Sequence, residues 1–209
     1  LPGIVKNPGD WTPLSNVARG LNLDGDDGTG APPAGIRAHK NYMSENGDKG
    51  IDNQYFTAVG CVSGYQGEKG FMMQFVNNQM HDGLMAILLQ ITGVDNEQND
   101  NSVDVSIFYS HDPMQKNATG AAIAPDYTFR VTDESEYAHY FRRLHGRIVN
   151  GVLKTDPVET FQANLTTYGT PSELTLAKSQ LELRFMPNGS IKGVVGGYIA
   201  AQLGWSYAS

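Results

Sequence analysis

The sequence predicts a mainly β protein, an antiparallel β-sandwich or jelly roll with two or three short helices. Three observations favour this class. The 209-residue chain contains 24 glycines and 10 prolines, which indicates many turns and short elements. Apolar runs of strand length dominate its second half. Asn-Gly pairs separate such runs, and this pair is a strong hairpin signal because a type I′ turn needs positive φ at both central positions.

A chain of this length fits one domain, and we expect a single domain over residues 1–209. Residues 1–50 are dense in Gly, Pro, Asn and Asp, which predicts a loop-rich N-terminal wrap. Residues 51–80 space apolar side chains three and four apart and predict two short helices, the first beginning at Asp52 or just before it. The sandwich is expected over residues 84–200.

The strand predictions begin after the helices. Residues 84–94 are mostly apolar, which predicts a fully buried strand. Residues 103–109 alternate apolar and polar side chains, and residues 127–132 are rich in β-formers, so both segments are predicted strands. Asp133 and Glu136 have the spacing of a capping box, which predicts a short helix after the third strand.

Two hairpins are predicted near the C-terminal end. Asn150 and Gly151 lie between β-forming segments, and Asn188 and Gly189 separate two further segments. In the strand before the second turn, residues 181–185, leucine and phenylalanine alternate with glutamate and arginine, so one face is expected to be buried and the other exposed.

Charge and composition exclude several classes. A formal net charge of -7 argues against sequence-independent binding to nucleic acid, because such binding requires clustered basic residues. No apolar run approaches the roughly 20 residues that span a bilayer, so no transmembrane segment is expected. Cys61 is the only cysteine, which excludes an internal disulfide and Cys-rich metal sites. The start at Leu-Pro-Gly, without Met, resembles a processed protein, and we expect a periplasmic or extracellular location.

The segment "LNLDGDDGTG" places Asp24, Asp26 and Asp27 on a glycine-rich loop. A loop of this kind can bring several carboxylate oxygens together around one Ca²⁺ ion. This segment is not an EF-hand loop, because the twelfth position counted from Asp24 is Gly35 and not glutamate. The alternative is a solvated turn, since Asp and Gly both tolerate turn geometry.

A second polar segment, "NGDKGIDNQ", contributes further candidate ligands. Asp48, Asp52 and Asn53 would complete a calcium site if this segment closes on the first loop. The alternative is two separate surface turns. A weaker cation candidate is "VDNEQND", with four polar side chains: Asp95, Asn96, Asn99 and Asp100.

Motifs of common enzyme classes are absent. The five histidines include no HxxxH or HExxH pair, which excludes a helical zinc-protease site. There is also no G-x-S-x-G elbow, P-loop or Rossmann fingerprint. An enzyme remains an alternative, either carbohydrate-active or a metal-dependent oxidoreductase component, with a cleft lined by His39, Tyr42 and the acidic loops.

Five segments in this order, "LDGDDGTG", "GIDNQ", "VGCVSGY", "GRIVNGVLKTDP" and "NGSIKGVVGGY", resemble a group of uncharacterised exported proteins of Gram-negative bacteria. The resemblance covers about residues 21–198. It implies export, a compact domain, and a place as partner or neighbour of periplasmic c-type cytochrome proteins. It carries over no catalytic residue. Of a Cys-Pro-His in the group, this chain keeps only His39, and the group's members continue past the "GWSYAS" that ends it.

The sequence therefore predicts an exported, calcium-stabilised binding or accessory subunit, and the resemblance implies a place in a periplasmic cytochrome-linked redox assembly. The predicted ligands of the ion are six: Asp24, Asp26, Asp27, Asp48, Asp52 and Asn53. The alternatives are the enzyme described above and a self-assembling surface protein, which exposed strand edges would permit.

Overall fold

A computed structural model of the chain describes residues 16–59, 71–81, 86–119, 124, 126–132, 140–167 and 170–200. These residues confirm a mainly β fold with antiparallel sheets and two short helices, consistent with a sandwich-like architecture. The elements, in chain order, are β1 Tyr42–Met43, β2 Lys49–Ile51, α1 Gln54–Val59, α2 Phe71–His81, β3 Ala86–Thr92, β4 Asn99–Ser110, β5 Arg142–Val149, β6 Val152–Thr155, β7 Val158–Thr167, β8 Thr170–Phe185 and β9 Ile191–Tyr198.

The main sheet has seven strands in the order β3-β4-β5-β6-β8-β7, and β9 pairs with β8. The 16-residue strand β8 organises this sheet because different stretches of it pair with different neighbours. Its N-terminal part pairs with β7, and its C-terminal part pairs with both β6 and β9. A separate two-stranded sheet, β1 with β2, belongs to the N-terminal wrap.

The main core forms on one face of this sheet. On β5, Leu144 and Ile148 are buried while the residues between them are exposed, except for Gly146. Gly146 allows β6 to approach closely, because an added Cβ would lie 2.9 Å from the Cα of Thr155. The buried cluster draws side chains from five strands: Val103, Val105, Ile107, Leu144, Ile148, Leu153, Phe161, Ala163, Leu176, Leu181 and Leu183.

The wrap has its own small core and a direct link to the sheet. Tyr42 and Phe56 pack edge to face with ring centroids 5.4 Å apart, and Ile51 is buried with them. Leu21 covers Gly196 of β9, where an added Cβ would lie 3.1 Å from the leucine side chain. Because Gly196 has no side chain, the wrap can lie directly against β9.

The predicted hairpins are confirmed, with different turn types. Asn150 and Gly151 have φ of 51° and 74°, as a type I′ turn requires. In the second turn only Gly189 has positive φ, 78°. The Met186 carbonyl accepts a hydrogen bond from the Gly189 N–H, and the Met186 N–H donates to the Ser190 carbonyl, both at 2.9 Å. These bonds are those of a three-residue hairpin loop with a glycine in the left-handed position.

Two strand predictions differ from the structure. Strand β3 lies at the edge of the sheet, so Ile87 and Leu89 are 41% and 40% exposed, and the expectation of a fully buried strand is wrong. Residues 127–132 form no strand. The Arg130 N–H donates to the Asp112 carboxylate at 2.7 Å, a side-chain acceptor in place of a strand carbonyl.

Other predictions lie beyond the described residues. The helix expected at Asp133 and Glu136 is one of them. Neither of the two described helices, α1 and α2, is long and apolar enough to cross a membrane.

Candidate metal centre

The acidic loop, residues 22–29, is held by its own side chains. The carboxylates of Asp24, Asp26 and Asp27 each accept a hydrogen bond from the N–H two residues further along, at 2.8, 2.9 and 2.9 Å. Gly25 and Gly28 in this loop have positive φ, which costs glycine little. The alternation of Asp and Gly in the sequence is therefore a series of side-chain-capped turns.

Gly50 allows β2 to lie directly against this loop. It has a φ of +77°, and an added Cβ would contact the Asp26 carbonyl oxygen and the Asn22 amide and lie 2.9 Å from the Asp27 Cα. Only glycine meets both conditions, since other residues carry a Cβ and rarely adopt this φ. The close approach brings Asp52, two residues later, to the start of the loop.

The Asp52 carboxylate connects the acidic loop to His39. Its Oδ2 accepts hydrogen bonds from the backbone N–H of Leu23 at 2.6 Å and of Asp24 at 3.2 Å. Its Oδ1 lies 2.8 Å from the Nε2 of His39. The Asp52 side chain is only 6% exposed, so these hydrogen bonds form largely out of contact with water.

Asp24, His39 and Asp52 form a compact group. One ligand atom from each lies within 4.8 Å of the others, and the His39 Nε2 is 3.6 Å from the Asp24 Oδ2. Two ligands that bind one metal ion at about 2.1 Å lie roughly 3–4 Å apart. In the described part of the chain, no other group of three His, Cys, Asp or Glu side chains is this compact.

The protonation of His39 follows from its partners. Its Nδ1 lies 2.9 Å from the carbonyl oxygen of Arg37, which only accepts, so Nδ1 carries a hydrogen. This hydrogen bond, the one with Asp52 and the negative charges of Asp24 and Asp52 raise the His39 pKa above its ordinary value of 6.5. Removing the proton from Nε2 would leave its lone pair beside the two carboxylates.

The raised pKa predicts how the metal-free protein depends on pH. Protonated His39 contributes stability that is fully present below pH 6.5, the unfolded value, and is lost as the pH rises through the higher folded value. We expect the free energy of unfolding, measured by urea titration in a chelator, to fall over this range. His39→Gln should remove this component of the slope. A wild-type slope identical to that of His39→Gln would contradict the prediction.

Of the six residues predicted to bind a cation, the structure brings Asp24 and Asp52 together in this group. Asp48 is engaged elsewhere. Its Oδ2 accepts hydrogen bonds from the Ser44 hydroxyl at 2.6 Å and from the Arg184 guanidinium at 2.9 Å. This carboxylate joins the β1–β2 turn to β8.

The remaining three also have other partners. Asp26 and Asp27 cap turns of their own loop. Asn53 accepts a hydrogen bond from the Phe56 N–H at 2.8 Å, and its amide donates to the Arg19 carbonyl at 2.7 Å. Asn53 is therefore the N-cap of α1. The prediction that Asp52 or a residue before it opens this helix is therefore wrong: α1 begins at Gln54, and the Asp52 carboxylate bonds to the acidic loop instead.

The third candidate loop is organised by Asp100. Its carboxylate accepts hydrogen bonds from the N–H groups of Asp95 at 2.7 Å, Asn96 at 3.3 Å and Ser102 at 3.0 Å. These bonds lower the Asp100 pKa, that from Ser102 most. In the structure this carboxylate stabilises the turn between β3 and β4 by accepting hydrogen bonds from its backbone N–H groups.

A cleft of about 760 Å³ opens beside the group. The wrap forms one wall, and β8, β9 and the residue after β9 form the other. Arg19 and Arg37 contribute positive charge to its lining. Its apolar lining consists of Leu21, Leu23, Ile36, Leu174, Leu176, Val194, Val195 and Ile199.

Tyr198, at the end of β9, belongs to this lining and is 44% exposed. Desolvation raises the pKa of its hydroxyl, and the negative charges of Asp52 and Asp24 raise it further. Tyr198 therefore keeps its proton at neutral pH and offers a hydrogen-bond donor near the two carboxylates.

The cleft differs from the one expected for an enzyme. His39 lines it, but Tyr42 does not, because Tyr42 is 3% exposed and its hydroxyl lies 2.8 Å from that of Thr57. The sequence predicted His39 in the lining of a cleft but not as a metal ligand. It predicted no site role for Arg37 or Tyr198. The spacing of these residues in the chain carries no motif that would have identified them.

Comparison of the chain with models of protein families, with curated proteins and with solved structures finds no match.

Proposed function

We propose that this chain is a binding or accessory domain that holds one divalent metal ion between Asp24, His39 and Asp52. The observation that carries the proposal is the convergence of the three ligand atoms within 4.8 Å. The hydrogen bond from Nδ1 to the Arg37 carbonyl supports it, because metal-binding histidines commonly donate their second N–H to a carbonyl or carboxylate. The metal would replace the proton on Nε2.

The ligand set favours a transition metal. Calcium takes about six to eight oxygen ligands, whereas this group offers one imidazole nitrogen and two carboxylates. Imidazole suits zinc, iron, nickel and copper, and carboxylates accept zinc as well. We therefore propose Zn²⁺ as the test metal. The calcium predicted from the sequence is the competing occupant.

An ion here would stabilise the wrap. The three ligands come from separate segments: the acidic loop and the segment before β1, both in the wrap, and the residue after β2. A single ion bound to all three would cross-link those parts in the folded state only, and binding of that kind raises stability. This role fits an accessory domain whose wrap borders the cleft.

The cellular setting is a further part of the proposal. We propose export and an association with a c-type cytochrome protein on the strength of the sequence resemblance alone. Copurification of a haem protein with the chain from its native host would support the association. Its absence under mild extraction would count against it.

The metal site is tested by isothermal titration of chelator-treated protein with Zn²⁺, Mn²⁺ and Ca²⁺ separately. We expect one equivalent of Zn²⁺ to bind more tightly than Ca²⁺. At a free metal concentration of 100 times Kd, the gain in unfolding free energy should be about 2.7 kcal/mol. His39→Gln should weaken Zn²⁺ binding by roughly 100-fold, since even the loss of an outer-shell partner costs about 10–100-fold.

The control is His145→Gln, because His145 also lies beside a carboxylate, 3.3 Å from Asp104, but is exposed on β5. This variant should bind Zn²⁺ like the wild type. Equal Zn²⁺ affinity of the two variants, or no one-to-one binding by the wild type, would refute the proposal. Selective Ca²⁺ binding that is insensitive to His39→Gln would favour an oxygen-only calcium site instead.

A further inference from the structure

The cleft beside the metal group has the chemistry of a ligand-binding site. We infer that it binds a small organic anion, a carboxylate with an apolar body, whose carboxylate completes the coordination of the metal. This inference rests on the proposed metal site. It adds the class of ligand that the site accepts.

Coordination provides the first argument. Zinc with three protein ligands keeps a fourth position for water or another ligand. The Asp24 and Asp52 side chains are 5% and 6% exposed, whereas His39 is 20% exposed, and all three line the cleft. The two carboxylates and a divalent ion sum to zero charge when His39 is neutral. A carboxylate can therefore join this centre without meeting net negative charge.

The arginines provide the second argument. Arg37 lines the cleft and is exposed, and within the described ranges its side chain forms no ion pair. Its backbone carbonyl holds His39, so residue 37 lies next to the metal group. Arg19, the other arginine of the lining, is bound to Glu45 at 3.3 Å. Arg37 is thus the cation suited to pair with an incoming carboxylate.

The apolar wall provides the third argument. Val195 and Tyr198 on β9 are each 44% exposed, and they continue the apolar lining along the wall opposite the wrap. Small-molecule sites are mostly apolar with a few convergent polar groups, and they measure about 300–1,000 Å³. At about 760 Å³, the cleft has room for a hydrocarbon or aromatic body beside the metal-bound head group.

The experiment titrates the Zn²⁺-loaded chain with sodium octanoate, octan-1-ol and octylamine, which share a chain length and differ in head group. We expect octanoate to bind one to one and at least roughly tenfold more tightly than the other two, because only it forms charge-assisted bonds with Arg37 and the metal. Removing the metal should abolish this preference.

Two variants test the assignment. Arg37→Gln should weaken octanoate binding by roughly tenfold without weakening Zn²⁺ binding, because the backbone carbonyl that holds His39 remains. Arg147→Gln, on the exposed side of β5, should change neither. If Zn²⁺ binds but the three probes bind equally or not at all, the ligand inference is wrong and the metal site stands. If Zn²⁺ does not bind, both proposals are wrong.

Discussion

Gly50→Ala is expected to lower the free energy of unfolding by about 2–5 kcal/mol. Part of the loss arises because alanine disfavours the left-handed φ at this position, and part because its Cβ overlaps atoms of a packed site. The overlap involves backbone atoms of Asp26 and Asp27, which cannot rotate away as a flexible side chain can. Displacing the acidic loop would also separate Asp24 from Asp52. We therefore expect Zn²⁺ affinity to fall together with stability.

The matched control is Gly47→Ala. Gly47 also has a positive φ, +89°, in the turn that precedes β2, but nothing lies within 4 Å of an added Cβ. It should show only the conformational cost, about 1 kcal/mol. Urea unfolding of both variants in a chelator measures the difference. Equal losses would mean that the close approach at Gly50 contributes nothing.

Asp52→Ala is expected to destabilise the metal-free protein by about 3–5 kcal/mol, because removing one partner of a buried charged pair costs about that much. The substitution removes the acceptor for the N–H groups of Leu23 and Asp24 and for His39 Nε2. With the carboxylate only 6% exposed, water does not readily replace it. The Zn²⁺-dependent gain in stability should disappear as well.

Asp27→Ala is the control for Asp52→Ala. Asp27 belongs to the same acidic stretch, but its carboxylate is exposed and, among the described residues, accepts hydrogen bonds from Thr29 alone. Its replacement should change stability by no more than about 1 kcal/mol and leave Zn²⁺ binding intact. Thermal and urea unfolding with and without Zn²⁺ distinguish the two variants. A loss for Asp27→Ala as large as that for Asp52→Ala would show that general acidity, and not the Asp52 link, holds the loop.

Features with a local cause were predictable from the sequence. The Asn150 and Gly151 turn depends on the φ preferences of two adjacent residues, and the buried face of β4 on the alternation within one strand. The turns of the acidic loop likewise follow from Asp and Gly within a few positions. The pairing of Asp24 with Asp52 was also predicted, although its contacts span 28 residues of chain.

Other features that depend on which segments become neighbours were not predictable. An apolar run such as β3 has the same local pattern at the edge of a sheet as in its centre, so its exposure depends on topology. His39 carries no spacing motif with either aspartate. It reaches Asp52 because the Arg37 carbonyl orients its ring and because Gly50 lets β2 lie against the loop.

The sequence by itself determined the β class, the two hairpins and the acidic turns, because each results from interactions between residues close together in the chain. Only the tertiary structure decided that Asp24 and Asp52 share His39, that Asp48 joins Arg184, and that a cleft lies between the wrap and β9. These arrangements arise from packing between distant segments, and packing depends on the shape of the whole fold.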